Sequence, residues 1–348
     1  MNSFGRFFRV HIFGESHGES VGITIDNCPA GLPLKADDFL NDIERRKGGT
    51  QKGTTPRQES DLPIFKSGIF NDTTTGAPVT ILFENNNTRS GDYQKQRAVP
   101  RPGHADFVAH QKYGGFEDYR GGGHFSGRLT VALVAAGVIA KKLLQLAPTS
   151  NNEALTEVKS AGISVIASIL EIGGEKDLEK GLQKAIDAKD SIGGIVECRV
   201  NGLPAGLGEP FFDSAESLLS HAVFAIPAIR GIEFGTGFAA ASMFGSDHND
   251  AIADTSGTTI TNHAGGIAGG ITNGNELVFR IAVKPTSSTP KVQQTLNWET
   301  GAVEAFSVKG RHDLCIALRV PVVLEAITAI VLADLMLIEQ KIPRIIHT

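Results

Sequence analysis

The chain has 348 residues, a formal net charge of −5 and an isoelectric point near 6.1. That balance excludes a general nucleic-acid binder, whose affinity would come from a basic surface. Three widely spaced cysteines, Cys28, Cys198 and Cys315, give neither a disulfide framework nor a metal pattern, and read as buried thiols.

In chain order, β-branched content and alternation predict strands near residues 9–13 and 22–26. A helix near residues 35–46 would carry Arg45 and Arg46 at its C-terminus and stop at Gly48-Gly49. A strand is expected near 79–83, then an apolar helix near 129–146. Segment 148–190 is rich in Lys, Glu, Asp and Asn and reads as a peripheral variable insert. Beyond it come a strand near 195–200 and a helix near 213–225, with Asp213 as N-cap and Glu216 three residues on. A strand near 277–283 and a second apolar helix near 321–340 complete the set. The stretches 47–56, 85–100 and 287–305 look irregular, and long loops of this kind are often functional.

The N-terminus has Arg6, Arg9, His11 and Glu15 in place of the apolar run of a secretory signal. The apolar stretches 129–140 and 320–338 are poor membrane spans, the first too short and the second interrupted by Glu325 and Asp334. A cytoplasmic protein is expected. The chain also repeats itself: 21–33 is echoed by 194–206, 67–84 by 266–283, and 120–144 by 309–339. Such a duplication predicts two similar halves with a site built from both.

Six short motifs carry the chemistry. Arg120-Gly121-Gly122-Gly123-His124-Phe125-Ser126-Gly127-Arg128 leads into an apolar helix. Three glycines before a helix N-terminus suit an anion held by backbone N–H groups, although a flexible turn has the same composition. His17 sits in Gly14-Glu15-Ser16-His17-Gly18 and His104 in Arg101-Pro102-Gly103-His104-Ala105-Asp106. Histidines beside glycine are poor core fillers; each is either a proton donor near neutral pH or a turn residue bonded to backbone. Glu44-Arg45-Arg46-Lys47-Gly48-Gly49, Lys284-Pro285-Thr286-Ser287-Ser288 and Gly310-Arg311-His312-Asp313 are the other three. Arg46, Lys52, Arg57 and Arg101 cluster around the histidine motifs, and forked guanidinium groups suit phosphate and carboxylate together. No Gly-x-Gly-x-x-Gly fingerprint in a strand-turn-helix setting points to a Rossmann dinucleotide site.

This ordered set resembles the chorismate synthases, over essentially the whole chain. The resemblance implies an α+β fold, a β-α-β sandwich in one domain spanning 1–348, assembled as a homotetramer. It implies a lyase that converts 5-enolpyruvylshikimate 3-phosphate to chorismate and phosphate by 1,4-elimination with reduced FMN. NADPH, or a separate flavin reductase, would supply electrons, and neither nucleic acid nor membrane would be a partner. His17 would protonate the flavin, His104 the departing phosphate, and Asp313 would act at the flavin N5. Arg46, Lys52, Arg57, Arg101, Arg128 and Arg311 would hold the substrate. His124, Phe125, Ser126, Ala228, Gly269, Lys284, Pro285, Thr286, Ser287 and Ser288, with Arg311, would hold the flavin. Departures from the family pattern are His124, Phe125, Gly127 and Leu129, where Arg, Ser, Ala and Glu are usual, together with Lys52 for arginine and Leu314 for proline. An FMN-dependent oxidoreductase and a non-catalytic anion-binding relative are the alternative classes.

Overall fold

The structure is a computed structural model describing residues 1–47, 52–54, 59–87, 97–147, 162–308 and 313–347. The first half of the chain forms β1 (Ser3–Phe4), β2 (Arg9–Gly14), β3 (Ser20–Asp26), α1 (Asp37–Lys47), β4 (Ile64–Ser67), β5 (Ile69–Phe70), β6 (Thr73–Thr74), β7 (Val79–Glu84), α2 (Asp106–Tyr113) and α3 (Thr130–Gln145). The second half forms β8 (Ser164–Ile172), α4 (Leu178–Ala188), β9 (Gly194–Asn201), α5 (Ala215–Val223), β10 (Ile229–Phe234), α6 (Gly245–His248), β11 (Ile267–Ala268), β12 (Ile271–Thr272), β13 (Leu277–Val283), β14 (Gln293–Asn297), β15 (Ala302–Phe306) and α7 (Val320–Ile338).

Two antiparallel sheets enclose a layer of helices. One has the order β1-β2-β3-β7-β4 and the other β8-β9-β13-β10. Set beside each other, β2-β3-β7-β4 and β8-β9-β13-β10 have the same order, each with a small hairpin (β5–β6, β11–β12) before its third strand. The likeness extends to single hydrogen bonds. Thr74 Oγ1 donates to Pro29 O at 2.6 Å and accepts from Leu32 N at 2.9 Å, while Thr74 O accepts from Gly31 N. Thr272 Oγ1 donates to Pro204 O at 2.8 Å and accepts from Leu207 N at 2.9 Å, while Thr272 O accepts from Gly206 N. Pro29-Ala30-Gly31-Leu32 and Pro204-Ala205-Gly206-Leu207 are thus equivalent. The sequence blocks 21–33 and 194–206, aligned end to end, would instead have set Gly202 opposite Pro29.

The strands obey alternation where one face is covered. In β7, Val79, Ile81 and Phe83 are buried, and in β13 so are Leu277, Phe279, Ile281 and Val283. The helices α3 and α7 are apolar on nearly every side because α3 packs on the first sheet, α7 on the second, and each on the other. One continuous cluster of buried side chains draws on both sheets and both helices. By length and hydropathy Ile316–Ile338 would pass for a membrane span, but 89% of its apolar window is buried inside the protein. Its two acids are accounted for. Glu325 accepts from Arg45 Nη2 at 2.7 Å, Lys141 Nζ at 2.7 Å and Ala167 N at 3.1 Å. Asp334 accepts from the amides of Arg6, Phe7 and Phe8 at 2.7–2.9 Å. Burial raises its pKa against those bonds.

Three expectations change. Asp213 is not the cap of α5: Ser214 Oγ accepts from Ser217 N, and Asp213 is taken by Arg6. Segment 148–190 is not peripheral throughout, since β8 is the edge strand of the second sheet and sends Val165, Ala167 and Ile172 into the core; residues 148–161 lie outside the described residues. The stretch 287–305 includes the β14–β15 hairpin. The three cysteines are free and buried as expected, and burial pushes the Cys28 and Cys198 thiols up to about 12.

The tightest helix contact is testable. A Cβ added at Gly137 would lie 2.2 Å from Ala326 Cβ and 2.4 Å from its Cα. Gly137→Ala should lower stability by about 1–3 kcal/mol, the usual cost of overpacking, read from the urea midpoint. Ala326→Gly in the same chain should recover part of the loss; an unchanged midpoint in the single variant would show that α3 and α7 part freely.

Candidate active site

A cavity of about 930 Å³ opens where loops of both halves meet over α3 and α7. Its apolar floor includes Ile12, Leu133, Val323 and Ile327. Its polar wall includes His17, His104, Arg46, Arg101 and Arg128 from the first half. Lys284, Thr286, Ser287, Ser288, Asp313 and Arg319 come from the second, with Ala228 and Arg230.

The triple-glycine loop is explained by close approach. Gly121, Gly122 and Gly123 have φ of 61°, 83° and 53°, the left-handed region. A Cβ on Gly121 would meet His17 Cδ2 at 2.4 Å, and one on Gly122 would meet His104 Cε1 at 3.2 Å. One on Gly123 would strike Asp118 O at 2.0 Å, and Gly123 O accepts from Ser16 N. Successive glycines therefore let one strand of backbone pass between the two histidines. That reason differs from the anion cradle expected of the motif. Arg120 is turned away and paired with Asp118.

His104 is fixed by charge. Its Nδ1 lies 2.6 Å from Asp106 Oδ1 and 3.0 Å from Arg101 Nη2. Arg101 in turn grips both oxygens of Asp106, at 2.7 Å from Nε and 2.7 Å from Nη2. A proton on Nδ1 is held by the carboxylate, which leaves Nε2 as the atom free to titrate. Burial lowers the His104 pKa, with Arg101 and Lys284 adding to it and Asp106 opposing. The Asp106 carboxyl is held far below the usual range, because its bonds to Arg101 and His104 outweigh its burial.

Two buried arginines share one carboxylate. Asp61, 1% exposed, accepts from Arg46 Nη2 at 2.8 Å through Oδ2 and from Arg128 Nη1 through Oδ1. Arg128 also donates to Asn85 Oδ1 at 2.9 Å and Glu84 O at 3.1 Å. Burial, with Arg319 and Arg128 nearby, pushes Arg46 down to about 10, still charged at neutral pH. Arg46 Nε is buried without an acceptor among the described residues. Arg319 links Arg46 O to Asp313, at 2.8 and 3.0 Å. Lys284 Nζ and Ser287 Oγ both donate to Gly103 O, at 2.7 Å each, which ties the second-half loop to the loop of His104.

Most of the expected residues therefore meet. His124, Phe125 and Ser126 line the cavity; His124 Nδ1 lies 2.8 Å from Gly14 O and its Nε2 3.2 Å from Asn2 Oδ1, so the ring is held by two uncharged groups. Three residues are not brought to the cavity wall: Lys52, bonded to Gln183 of α4; Gly269, in the β11–β12 turn; and Pro285, against Gly193. Arg57 and Arg311 lie outside the described residues. Sequence reading missed Asp61, Asn85, Arg319 and the N-terminal residues 1–4, all at or beside the wall. Asp106 stood inside a quoted motif, and its spacing to Arg101 was the one available signal.

Comparison with known proteins gives a single answer. The sequence model of the family described as chorismate synthase matches residues 8–337. A chorismate synthase of Chitinophaga pinensis is 70% identical over 345 residues, covering 99% of each chain. One of Methanocaldococcus jannaschii is 41% identical, covering 97% of this chain and 96% of that one. A solved structure titled as the crystal structure of chorismate synthase aligns with a TM-score of 0.71 at 25% identity, over 97% of this chain and 93% of that chain.

The shared carboxylate supplies a test. Asp61→Asn keeps the shape but removes the counter-charge of two buried guanidinium groups. Stability should fall by about 3–5 kcal/mol, the cost of leaving a buried charge uncompensated, in a denaturant titration. A loss below about 1 kcal/mol would mean that water or other groups replace the carboxylate.

Proposed function

The chain belongs to the chorismate synthase family, and from that premise we propose how its own residues carry the reaction. The enzyme is a lyase: it converts 5-enolpyruvylshikimate 3-phosphate to chorismate and phosphate, the last common step towards the aromatic amino acids. Membership implies a flavin cofactor and a phosphorylated small-molecule substrate. The observation that carries the assignment of roles is the pair of histidines set against successive glycines beside a cation-rimmed cavity.

The residues present fit reduced FMN and the substrate together. The apolar floor suits a flat ring system, and Lys284, Arg230 and the hydroxyls of Thr286 and Ser287 suit a phosphate. Arg46 Nε, which has no acceptor among the described residues, would suit a substrate anion. When bound, the reduced flavin supplies transient electron density that it recovers within the cycle. Arg46, Arg101 and Arg128 hold the substrate anions, and their shared carboxylates keep them oriented beforehand. His104 delivers a proton from Nε2 to the departing phosphate, with Asp106 holding Nδ1. His17, packed against Gly121, holds a proton for the flavin. Asp313, held by Arg319, would handle a proton at the flavin N5. His124, Phe125, Ser126 and Ala228 would line the flavin side of the cavity. Gly269, Pro285 and Lys52 contribute from outside the cavity wall.

We also propose a cytoplasmic homotetramer whose flavin is reduced by NADPH, directly or through a separate reductase. Assembly is supported by Phe211, Phe212, Phe238 and Phe244, each about four-fifths or more exposed. The cytoplasmic reading is supported by three unpaired thiols.

His17→Ala and His104→Ala should each lower turnover by roughly 10²- to 10⁴-fold while flavin and substrate still bind. In a sealed anaerobic cell the intact enzyme should release many phosphates per flavin, with the flavin spectrum still reduced at the end. Stoichiometric flavin oxidation by the substrate would decide for an oxidoreductase, and binding without phosphate release for a non-catalytic relative.

The pH profile is a second test. His104 must be protonated to act as an acid, so its limb of kcat/KM falls as pH rises through its pKa. In the free enzyme that pKa lies below the ordinary value of ~6.5. Asp106→Asn removes the group that holds it up, so the limb should move to still lower pH. A limb that stays in place would belong to another group.

A further inference from the structure

Asn85 follows the last residue of β7 and was assigned no role above beyond its bond to Arg128. Its side-chain amide makes three hydrogen bonds to residues of the active-site region. Nδ2 donates to Glu15 O at 3.0 Å and to Gly18 O at 2.9 Å. Those two carbonyls bracket the turn that carries His17, and the turn closes on itself through Gly18 N to Glu15 O. Oδ1 accepts from Arg128 Nε at 2.9 Å. The amide orientation is fixed by its partners: the reverse placement would set an oxygen against two carbonyls and an NH2 group against a guanidinium. The backbone of Asn85 is anchored as well, with N donating to Glu19 O at 3.0 Å. The neighbouring Glu84 O accepts from Arg128 Nη2 at 3.1 Å, so Arg128 straddles the end of β7.

We infer that Asn85 is a positioning residue that couples Arg128 to His17. The coupling has a direction. Arg128 is held by Asp61 and by the end of β7, so it serves as the fixed end, and Asn85 adds two bonds that brace the glycine-flanked turn of His17 against it. Gly14 has φ of 96°, which gives the turn a conformation few residues would support unaided. Through Asn85 the anion-binding arginine and the acid are kept at one separation while substrate enters. This inference rests on the reading of His17 as an acid.

Asn85→Asp separates the two ends. A carboxylate still accepts from Arg128 but presents oxygen to the carbonyls of Glu15 and Gly18. In the tetrameric holoenzyme with reduced FMN, kcat should fall about 10-fold or more while the substrate KM stays within about 3-fold. In a His17→Ala background the same change should cost less than about 2-fold, since Asn85 acts through a residue already removed. Asn85→Ala, which releases both ends, should raise KM and show the same vanishing kcat deficit; it carries the cycle if the aspartate variant does not fold. Equal kcat deficits in the parent enzyme and in the His17→Ala background would overturn the coupling and leave the acid reading standing. Near-full turnover in His17→Ala alone would overturn both.

Discussion

A single carboxylate holds this site together. Asp61 lies between Arg46 at the end of α1 and Arg128 ahead of α3 and offsets part of their charge, and both guanidinium groups are almost completely buried. Two like charges at that depth would repel each other and be driven towards water. With Asp61 between them they stay buried, and three segments of the chain converge on one point. Asp61 itself has φ of 50°, a left-handed conformation that the surroundings must maintain. The same device recurs at Arg101 and Asp106, where the carboxylate also orients His104. Cations arranged before the substrate arrives need no reorganisation when charge develops, which is where such sites gain most.

Local patterns made the frame readable. Alternation in the strand at 277–283 and the unbroken apolar run of α7 reflect burial that neighbours in sequence share, so windowed reading finds them. The edge strand β8 escaped because one of its faces meets solvent and charged residues follow it. The histidines and arginines were legible because glycine and proline beside a polar side chain leave few structural roles for it. Their partners were not. Nothing near Asp61 in sequence distinguishes it from a solvated loop acid; its role exists only because Arg46 and Arg128 arrive from elsewhere. Asn85 is hidden in the same way. The glycine loop is a subtler case: the motif was legible, but the close approaches its glycines permit, to the rings of His17 and His104 and to Asp118 O, are contained in no local rule.

The two halves share a frame and differ in what they mount on it. The threonine-locked turns at Pro29–Leu32 and Pro204–Leu207 are bond-for-bond alike, and the sheets have one order. Yet the cavity-lining histidines His17 and His104 and the buried arginines Arg46, Arg101 and Arg128 come from the first half. The second contributes Lys284, the serine loop, Asp313 and Arg319. A symmetric scaffold thus carries an asymmetric site, with the buried histidines and arginines weighted to one half and the lysine and hydroxyl-bearing loop to the other. The join is physical as well as spatial: Gly103 O receives both Lys284 and Ser287 across the boundary.

The central helix α7 is synthesised after α3 and after the strands of both sheets. Until it emerges, α3 has an apolar face with nothing to cover it, the second sheet lacks its inner lining, and the amides of Arg6, Phe7 and Phe8 wait for Asp334. Folding from the first synthesised residue onward therefore cannot run to completion piece by piece. Partial chains expose surface of the kind that aggregates or engages chaperones. A chain cut short before α7 would keep most of the side chains that line the cavity and lack the helix that joins the two sheets into one core.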